Sequence, residues 1–144
     1  MSLPIPNLKT MQSGDQTLVW DIVRKKWVVL TPEEMVRQAT IHYLHQQHSY
    51  PLQWMAVEKQ ILLHGLKKRF DLLIYDREAH PWLMVECKAP MVAIDGSVFD
   101  QIARYNLQYK VPYLIVTNGD QFFCAKIDHE NQTIDWLSEL PTLV

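Results

Sequence analysis

Short apolar runs between turn-forming residues dominate the chain, and this pattern predicts a protein built largely of strands. The run 113–117 is apolar almost throughout, as expected for a strand that is covered on both faces of its sheet. A turn signal, Asn118-Gly119, follows it directly. The predicted strands are 18–23, 26–30, 55–58 with a continuation toward 63, 70–75, 82–88, 113–117, 121–127 and 133–136.

Two segments have the signals of helices. In the first, Thr31 occupies the N-cap position, Pro32 the first helical position and Glu34 the third, which predicts a capping box. We expect this helix to run to about His48. Its predicted apolar stripe comprises Val36, Ala39, Tyr43 and Leu44.

A second helix is predicted from about Ser97 to Leu107. After an N-terminal hairpin at 18–30, the order is therefore helix, three strands, helix and then strands. This order predicts an α/β fold with a mixed central sheet and helices packed on its faces. The residues of the second helix predicted to face the core are Val98, Ile102, Tyr105 and Leu107.

Composition and charge limit the possible functions only loosely. Apolar residues make up 48% of the 144 residues and charged residues 21%, an ordinary balance for a single globular domain. The formal net charge of −2 counts against a tight, standalone DNA-binding protein, for which a basic surface is usual. It does not exclude a nuclease, because acidic metal ligands lower the formal charge until the metal binds.

The two cysteines, Cys87 and Cys124, both lie in apolar runs and do not indicate a disulfide framework. A reducing cytoplasm is the simplest compartment for such a chain. The sequence has no apolar run of membrane-spanning length, and its N-terminus lacks the pattern of a signal peptide. We therefore expect a cytoplasmic protein with no membrane partner.

Three ionisable residues lie in or at the ends of two apolar strands: Asp71 in the first, Glu86 and Lys88 in the second. If these strands pair as an antiparallel hairpin through the polar segment 76–81, Asp71 comes level with Glu86. Glu86 and Lys88 then share one face, and Cys87 points to the other. Two carboxylates on one rim suit Mg²⁺ or Mn²⁺, and a neighbouring lysine can orient the attacking water.

Two alternatives stay open at this point. Lys88 could simply bridge Glu86 or Asp71 at a sheet edge, since so short a pattern recurs by chance. The basic segment Lys67, Lys68 and Arg69 could guide a phosphate backbone to the site, or it could be a solvated turn.

From about residue 31 to residue 141, these residues and their order resemble the N-terminal nuclease domain of type I restriction enzyme R subunits, and most closely its small standalone branch. That family belongs to the PD-(D/E)xK restriction-endonuclease-like superfamily, whose core is α-β-β-β-α-β. The resemblance places the first acidic residue at Asp71, the (D/E)xK motif at Glu86-Cys87-Lys88, and the QxxxY helix motif at Gln101 and Tyr105. It implies one nuclease-like domain over 1–144, with 1–30 as an N-terminal extension and 31–141 as the core.

The resemblance also implies roles. Asp71 and Glu86 would hold Mg²⁺ or Mn²⁺ with the backbone carbonyl of Cys87, while Lys88 would position the attacking water. The family's glutamate on the first helix would be Glu33. It would hold a water molecule in the outer shell of the ion, or it would hold a second ion. Gln101 and Tyr105 share a helix face at i and i+4, which would lie over the site. The implied catalytic residues are Lys88, Glu86, Asp71, Gln101 and Tyr105.

Two departures from the family's pattern bear on function. Phe70 replaces the proline of the superfamily's name, a common variation that leaves the chemistry intact. The chain contains no P-loop or helicase-like motor, so we expect no ATP-driven translocation by this chain itself. The implied partners are therefore DNA and separately encoded restriction-modification subunits, and a homodimer would bring two sites to two strands.

Three functions compete at this stage. The first is a Mg²⁺-dependent deoxyribonuclease that hydrolyses phosphodiester bonds. The second is a non-catalytic module that retains the fold and binds nucleic acid or a protein partner, which the mildly acidic charge would suit. The third is a purely structural domain in which Lys88 pairs internally.

Overall fold

A computed structural model describes residues 3–4, 6–63 and 65–142 of the chain. Short 3-10 turns lie at Leu52–Trp54 and Leu107–Tyr109. Within the described residues, the strands are β1 (Thr10–Ser13), β2 (Gln16–Asp21), β3 (Lys26–Val29), β4 (Met55–Leu63), β5 (Leu66–Tyr75), β6 (Pro81–Cys87), β7 (Tyr113–Thr117), β8 (Phe122–Asp128) and β9 (Thr133–Leu137), and the helices are α1 (Pro32–His48) and α2 (Gly96–Asn106).

The strands form two sheets. β1, β2 and β3 make a small antiparallel sheet, and β4 to β9 make a six-stranded sheet in sequence order. Neighbours in the large sheet are antiparallel except β6 and β7, which are parallel and are connected through α2. A parallel pair needs such a crossover, because a tight turn cannot return the chain to the same end of the sheet. The predicted α/β class with a mixed central sheet is confirmed.

Each helix covers a different face of the large sheet. Side chains of α1 such as Ile41 and Leu44 pack with Leu72 and Val85, which point to one face of β5 and β6. On the other face, Phe99 of α2 belongs to a second buried cluster. That second cluster also contains Phe70, Leu73, Met84, Ala103, Leu114 and Val116.

The predicted start of α1 is confirmed, but its capping box is only half formed. The Thr31 hydroxyl accepts a hydrogen bond from the Glu34 amide at 3.0 Å, and Pro32 occupies the first turn. The Glu34 carboxylate does not return to Thr31, whose own amide donates to the Val29 carbonyl instead. Glu34 points inward and accepts hydrogen bonds from Arg24 and from a residue one turn further along the helix.

The inward face of α2 differs from the predicted one. Phe99, Ala103 and Asn106 are the buried residues of this helix, whereas Tyr105 is 56% exposed. Val98 and Ile102 are only partly buried. Asn106 can occupy an interior position because its side-chain amide donates to the Ile102 carbonyl of the preceding turn.

Strand boundaries account for the remaining differences. β1 was not predicted, because all four of its residues are exposed and it lacks apolar alternation. β5 begins at Leu66, ahead of the predicted start at residue 70, so the basic segment before Asp71 belongs to a strand.

Among the described residues, no helix has both the length and the apolar character that crossing a bilayer requires.

Candidate functional site

The pairing of β5 with β6 places Asp71 opposite Glu86, as predicted from the sequence. Leu72 and Val85 form the last pair of this register, so Asp71 lies one residue beyond it, at the level of Glu86. The Asp71 carboxylate accepts a hydrogen bond from the Cys87 amide at 2.7 Å. On the other side, the pairing of β5 with β4 has a gap at Glu58, which has a left-handed backbone with φ of 52°. Asp71 is thus fixed by a backbone amide at the end of β6.

Glu86 and Lys88 line a cleft of about 270 Å³ between the large sheet and α2. Gln101 and Tyr105 of α2 line the same cleft. Cys87 points to the opposite face and is buried beneath α1. The structure therefore brings Glu86, Lys88, Gln101 and Tyr105 together, whereas Asp71 does not line this cleft and is held by the Cys87 amide. Three further residues complete the lining: Lys68, Ile102 and Asn106.

Glu86 is a buried acid with a cationic neighbour. Burial raises the pKa of its carboxyl above the usual range, and the nearby negative charge of Asp71 acts in the same direction. The ammonium groups of Lys68 and Lys88 oppose this rise. Lys68 Nζ lies 2.9 Å from Glu86 Oε1. The buried Oε1 atom thus has the Lys68 ammonium as its cationic neighbour.

Asp71 lies next to a second charged cluster on the α1 side. Arg37, which is 5% exposed, approaches Asp71 Oδ1 to 3.8 Å. Its guanidinium also contacts Glu34 at 3.0 Å and Glu58 at 2.9 Å. Glu33 is half exposed, and it lies 3.8 Å from Arg37 in a separate cleft. The structure thus places Glu33 across Arg37 from Asp71 and outside the cleft of Glu86.

The three basic residues before Asp71 do not form one surface. Side chains alternate along β5, so Lys68 points into the cleft while Lys67 and Arg69 point to the other face. Lys67 is exposed, and Arg69 forms an ion pair with Glu58. Lys68 belongs to the same cleft as Lys88 and Gln101.

Sequence reasoning missed two polar residues near these carboxylates and misplaced a third. Arg37 follows Glu33 and Glu34 at i+4 and i+3, a spacing that could have indicated the ion pairs. Extending the strand back to residue 66 would have separated Lys68 from Lys67 and Arg69, but regular alternation would have placed Lys68 on the α1 side with Leu72. The alternation breaks at Asp71, because Phe70 and Leu73 both belong to the cluster on the α2 side. No sequence signal identifies Asn106, whose Oδ1 atom is buried without a hydrogen-bond partner.

The residues present fit a divalent cation of the Mg²⁺ type. Asp71 and Glu86 supply hard oxygen atoms from adjacent strands, and Glu86 Oε1 is a buried oxygen whose neighbour is the Lys68 ammonium. Within the described part of the chain, no group of three His, Cys, Asp or Glu side chains is arranged to hold a metal. Mg²⁺ commonly takes only one or two carboxylates from the protein, and water and substrate phosphates complete its shell.

Comparison with known proteins gives one informative result. A search of curated proteins found no match. The sequence model of a family described as "Type I restriction enzyme R protein N terminus" matches residues 32–141, which begin with α1 and extend beyond β9. Because this match spans most of the chain, the protein belongs to the family of type I restriction enzyme R protein N termini.

Proposed function

We propose that this domain is a divalent-metal-dependent nuclease of the PD-(D/E)xK type that hydrolyses phosphodiester bonds in DNA. The observation that best supports it is the convergence of Glu86, Lys88 and Gln101 on one cleft, with Asp71 held by the Cys87 amide near enough to Glu86 for its charge to act on that carboxyl. Family membership supports a restriction-type role for such a module.

In this proposal, the Asp71 and Glu86 carboxylates and the Cys87 carbonyl would hold Mg²⁺ or Mn²⁺. The bound ion would polarise a phosphoryl oxygen and lower the pKa of a coordinated water. Lys88, two residues after Glu86 on the same face, orients the attacking water and stabilises the negative charge that develops. Glu33 would reach the ion only through bound water, because Arg37 lies between them.

The α2 face of the cleft supplies the remaining polar groups. The Gln101 amide is exposed toward the cleft and can donate to a phosphate oxygen or hold the Lys88 ammonium. Tyr105 presents its ring to Lys68 at 5.0 Å and its hydroxyl to that of Tyr109 at 3.5 Å. We propose that target choice comes from separately encoded restriction-modification subunits. A homodimer would place its two clefts against the two strands of a DNA duplex.

A calorimetric Mn²⁺ titration tests the proposed metal site directly. Wild type should bind the ion, and a folded Glu86→Ala variant should not, because one of the two carboxylate ligands is removed. Glu130→Ala is the matched control, since Glu130 is an exposed acid in the turn between β8 and β9. Equal binding by Glu86→Ala and wild type would exclude Glu86 as a ligand.

Cleavage of plasmid DNA in Mg²⁺ tests the chemistry. We expect Lys88→Met to lose cleavage while it keeps Mn²⁺ binding, because Lys88 acts on the water and not on the ion. Lys126→Met is the control, since Lys126 is exposed on β8. Undiminished cleavage by Lys88→Met would contradict the proposed role of Lys88.

One observation favours the alternative of a non-catalytic binding module. Each candidate ligand already has a cationic neighbour in the chain, Arg37 for Asp71 and Lys68 for Glu86. A module of this kind would bind DNA or a restriction subunit without hydrolysis. Salt-dependent DNA binding by the wild type, with no cleavage in Mg²⁺ or Mn²⁺, would establish this alternative over the nuclease.

A further inference from the structure

Lys68 is a largely enclosed cation of the cleft, and its surroundings suit a mobile ammonium group. Its side chain is only 15% exposed, and Nζ lies 2.9 Å from Glu86 Oε1. The ammonium also lies 5.0 Å from the centre of the Tyr105 ring and 5.7 Å from that of Phe70. Aromatic faces attract a cation without fixing its direction. Lys68 therefore has a second attractive surface if it leaves Glu86.

A divalent ion and the Lys68 ammonium cannot both occupy the place beside Glu86 Oε1. Mg²⁺ binds a carboxylate oxygen at about 2.1 Å. With Nζ 2.9 Å from the same oxygen, the ion and the ammonium would lie at most about 5 Å apart. Like charges at that separation in a poorly solvated cleft repel strongly. An ion bound at Glu86 Oε1 therefore favours displacement of the Lys68 ammonium from this oxygen.

We propose that Lys68 is a second cationic residue of this site, which neutralises Glu86 when no divalent ion is bound and binds a substrate phosphate when one is. This inference rests on the proposed nuclease function. The displaced ammonium stays within the cleft, because the Tyr105 ring and the Gln101 side chain line the same space. Lys88 and Lys68 then have different tasks: Lys88 orients the water, and Lys68 holds the phosphate.

A purely structural ion pair makes a different prediction. If Lys68 only stabilises the buried Glu86 carboxylate, replacing Lys68 lowers the stability of the fold and leaves the metal affinity of the folded protein unchanged. If Lys68 competes with the ion, its removal makes the ion bind more tightly. Metal affinity therefore separates the two roles, and activity alone does not.

The first experiment is a Mn²⁺ titration by calorimetry of wild type, Lys68→Met, Lys68→Arg and Lys67→Met. A pH of 8 limits competition by protons for Glu86, whose pKa is raised by burial. We expect about tenfold tighter Mn²⁺ binding by Lys68→Met, the size of one contact to a charged group. Lys68→Arg retains the charge, and Lys67 is exposed on the opposite face of β5, so both variants should bind like wild type.

The second experiment measures the affinity for a fluorescent duplex oligonucleotide in Ca²⁺, chosen to slow hydrolysis. Lys68→Met should bind this duplex about tenfold more weakly, because it lacks one phosphate contact. Lys68→Arg should retain wild-type affinity. Thermal unfolding verifies that each variant is folded, and Lys68→Gln replaces Lys68→Met if the latter does not fold.

The outcomes distinguish this inference from the proposed function. If wild type binds Mn²⁺, Glu86→Ala does not, and Lys68→Met binds like wild type, the inference is overturned and the metal site stands. Tighter Mn²⁺ binding with unchanged duplex affinity overturns the phosphate-binding role alone. Absence of Mn²⁺ binding in both wild type and Lys68→Met overturns the inference together with the proposed function.

Discussion

Replacing Arg37 by Met should destabilise the fold far more than the same change at Arg104. Both arginines lie on helices and both have an acidic partner within one turn. Arg37 is 5% exposed and contacts Glu34 at 3.0 Å and Glu58 at 2.9 Å. In the Arg104–Asp100 pair, by contrast, both side chains are largely solvent-exposed. The comparison isolates the effect of burial on one kind of ion pair.

The expected magnitude follows from what remains after Arg37 is removed. Breaking a buried ion pair by deleting one partner costs about 3–5 kcal/mol, because a buried charge is left behind. Glu34 keeps Arg24 at 2.9 Å and the Gln38 amide at 3.1 Å, and Glu58 is partly solvated and also pairs with Arg69. Because these contacts remain, we expect Arg37→Met to lower the free energy of unfolding by about 3 kcal/mol, the lower end of that range. An exposed pair within a helix contributes about 0.3–0.5 kcal/mol, which sets the expectation for Arg104→Met.

Urea unfolding followed by tryptophan fluorescence measures both losses. With a slope of about 2 kcal/mol per molar urea, the Arg37→Met midpoint should fall by about 1.5 M and that of Arg104→Met by about 0.2 M. The slopes should remain equal among the three proteins. An Arg37→Met loss below about 1 kcal/mol, the range of exposed pairs, would refute the view that this network depends on burial.

Two further predictions concern other buried residues. Burial acts to raise the pKa of Asp21, but hydrogen bonds from the Arg24 amide and guanidinium and from the Val23 amide outweigh it and hold this pKa below its usual value of 3.8. The stabilisation of the fold by ionised Asp21 should be complete above about pH 4 and should be lost as the pH falls through the lowered pKa. In urea unfolding between pH 2 and 6, the free energy of unfolding should therefore fall less with decreasing pH for Asp21→Asn than for wild type. Phe99→Ala should cost about 3–5 kcal/mol in urea unfolding, because Phe99 is fully buried and its ring lies 4.2 Å from that of Trp136. Tyr105→Ala, at an exposed position of the same helix, should cost less than about 1 kcal/mol, and equal losses would contradict the observed inward face of α2.

The sequence was most informative where local signals and long-range packing agree. The Thr31 cap and Pro32 determined the start of α1, and the apolar run of β7 indicated a strand covered on both faces. The strand pairing that sets Asp71 opposite Glu86 followed from a polar hairpin segment between two apolar runs. These features depend on near neighbours in the chain, which a sequence displays directly.

The missed features depend on partners that are distant in sequence. The partners of Glu34 include Arg24, ten residues earlier, and this contact prevails over the local capping box. Asn106 is buried, although it is polar, because a carbonyl of its own helix accepts its amide. Lys68 differs from its basic neighbours because β5 begins at Leu66, ahead of the predicted start at residue 70. Once the strand is extended, simple alternation separates Lys68 from Lys67 and Arg69.

The hydrogen bond between Asp71 and the Cys87 amide provides a spectroscopic probe within the protein. This amide donates to a carboxylate, so its proton and nitrogen chemical shifts depend on the charge held near Asp71. An ion that binds Asp71 would withdraw electron density from that carboxylate and shift this one resonance before any DNA is added. Titration with Mg²⁺, which is diamagnetic, would thus follow occupancy of the site at a single backbone position. Slowed hydrogen exchange at Cys87 would show, on a different timescale, whether the ends of β5 and β6 tighten as the ion binds.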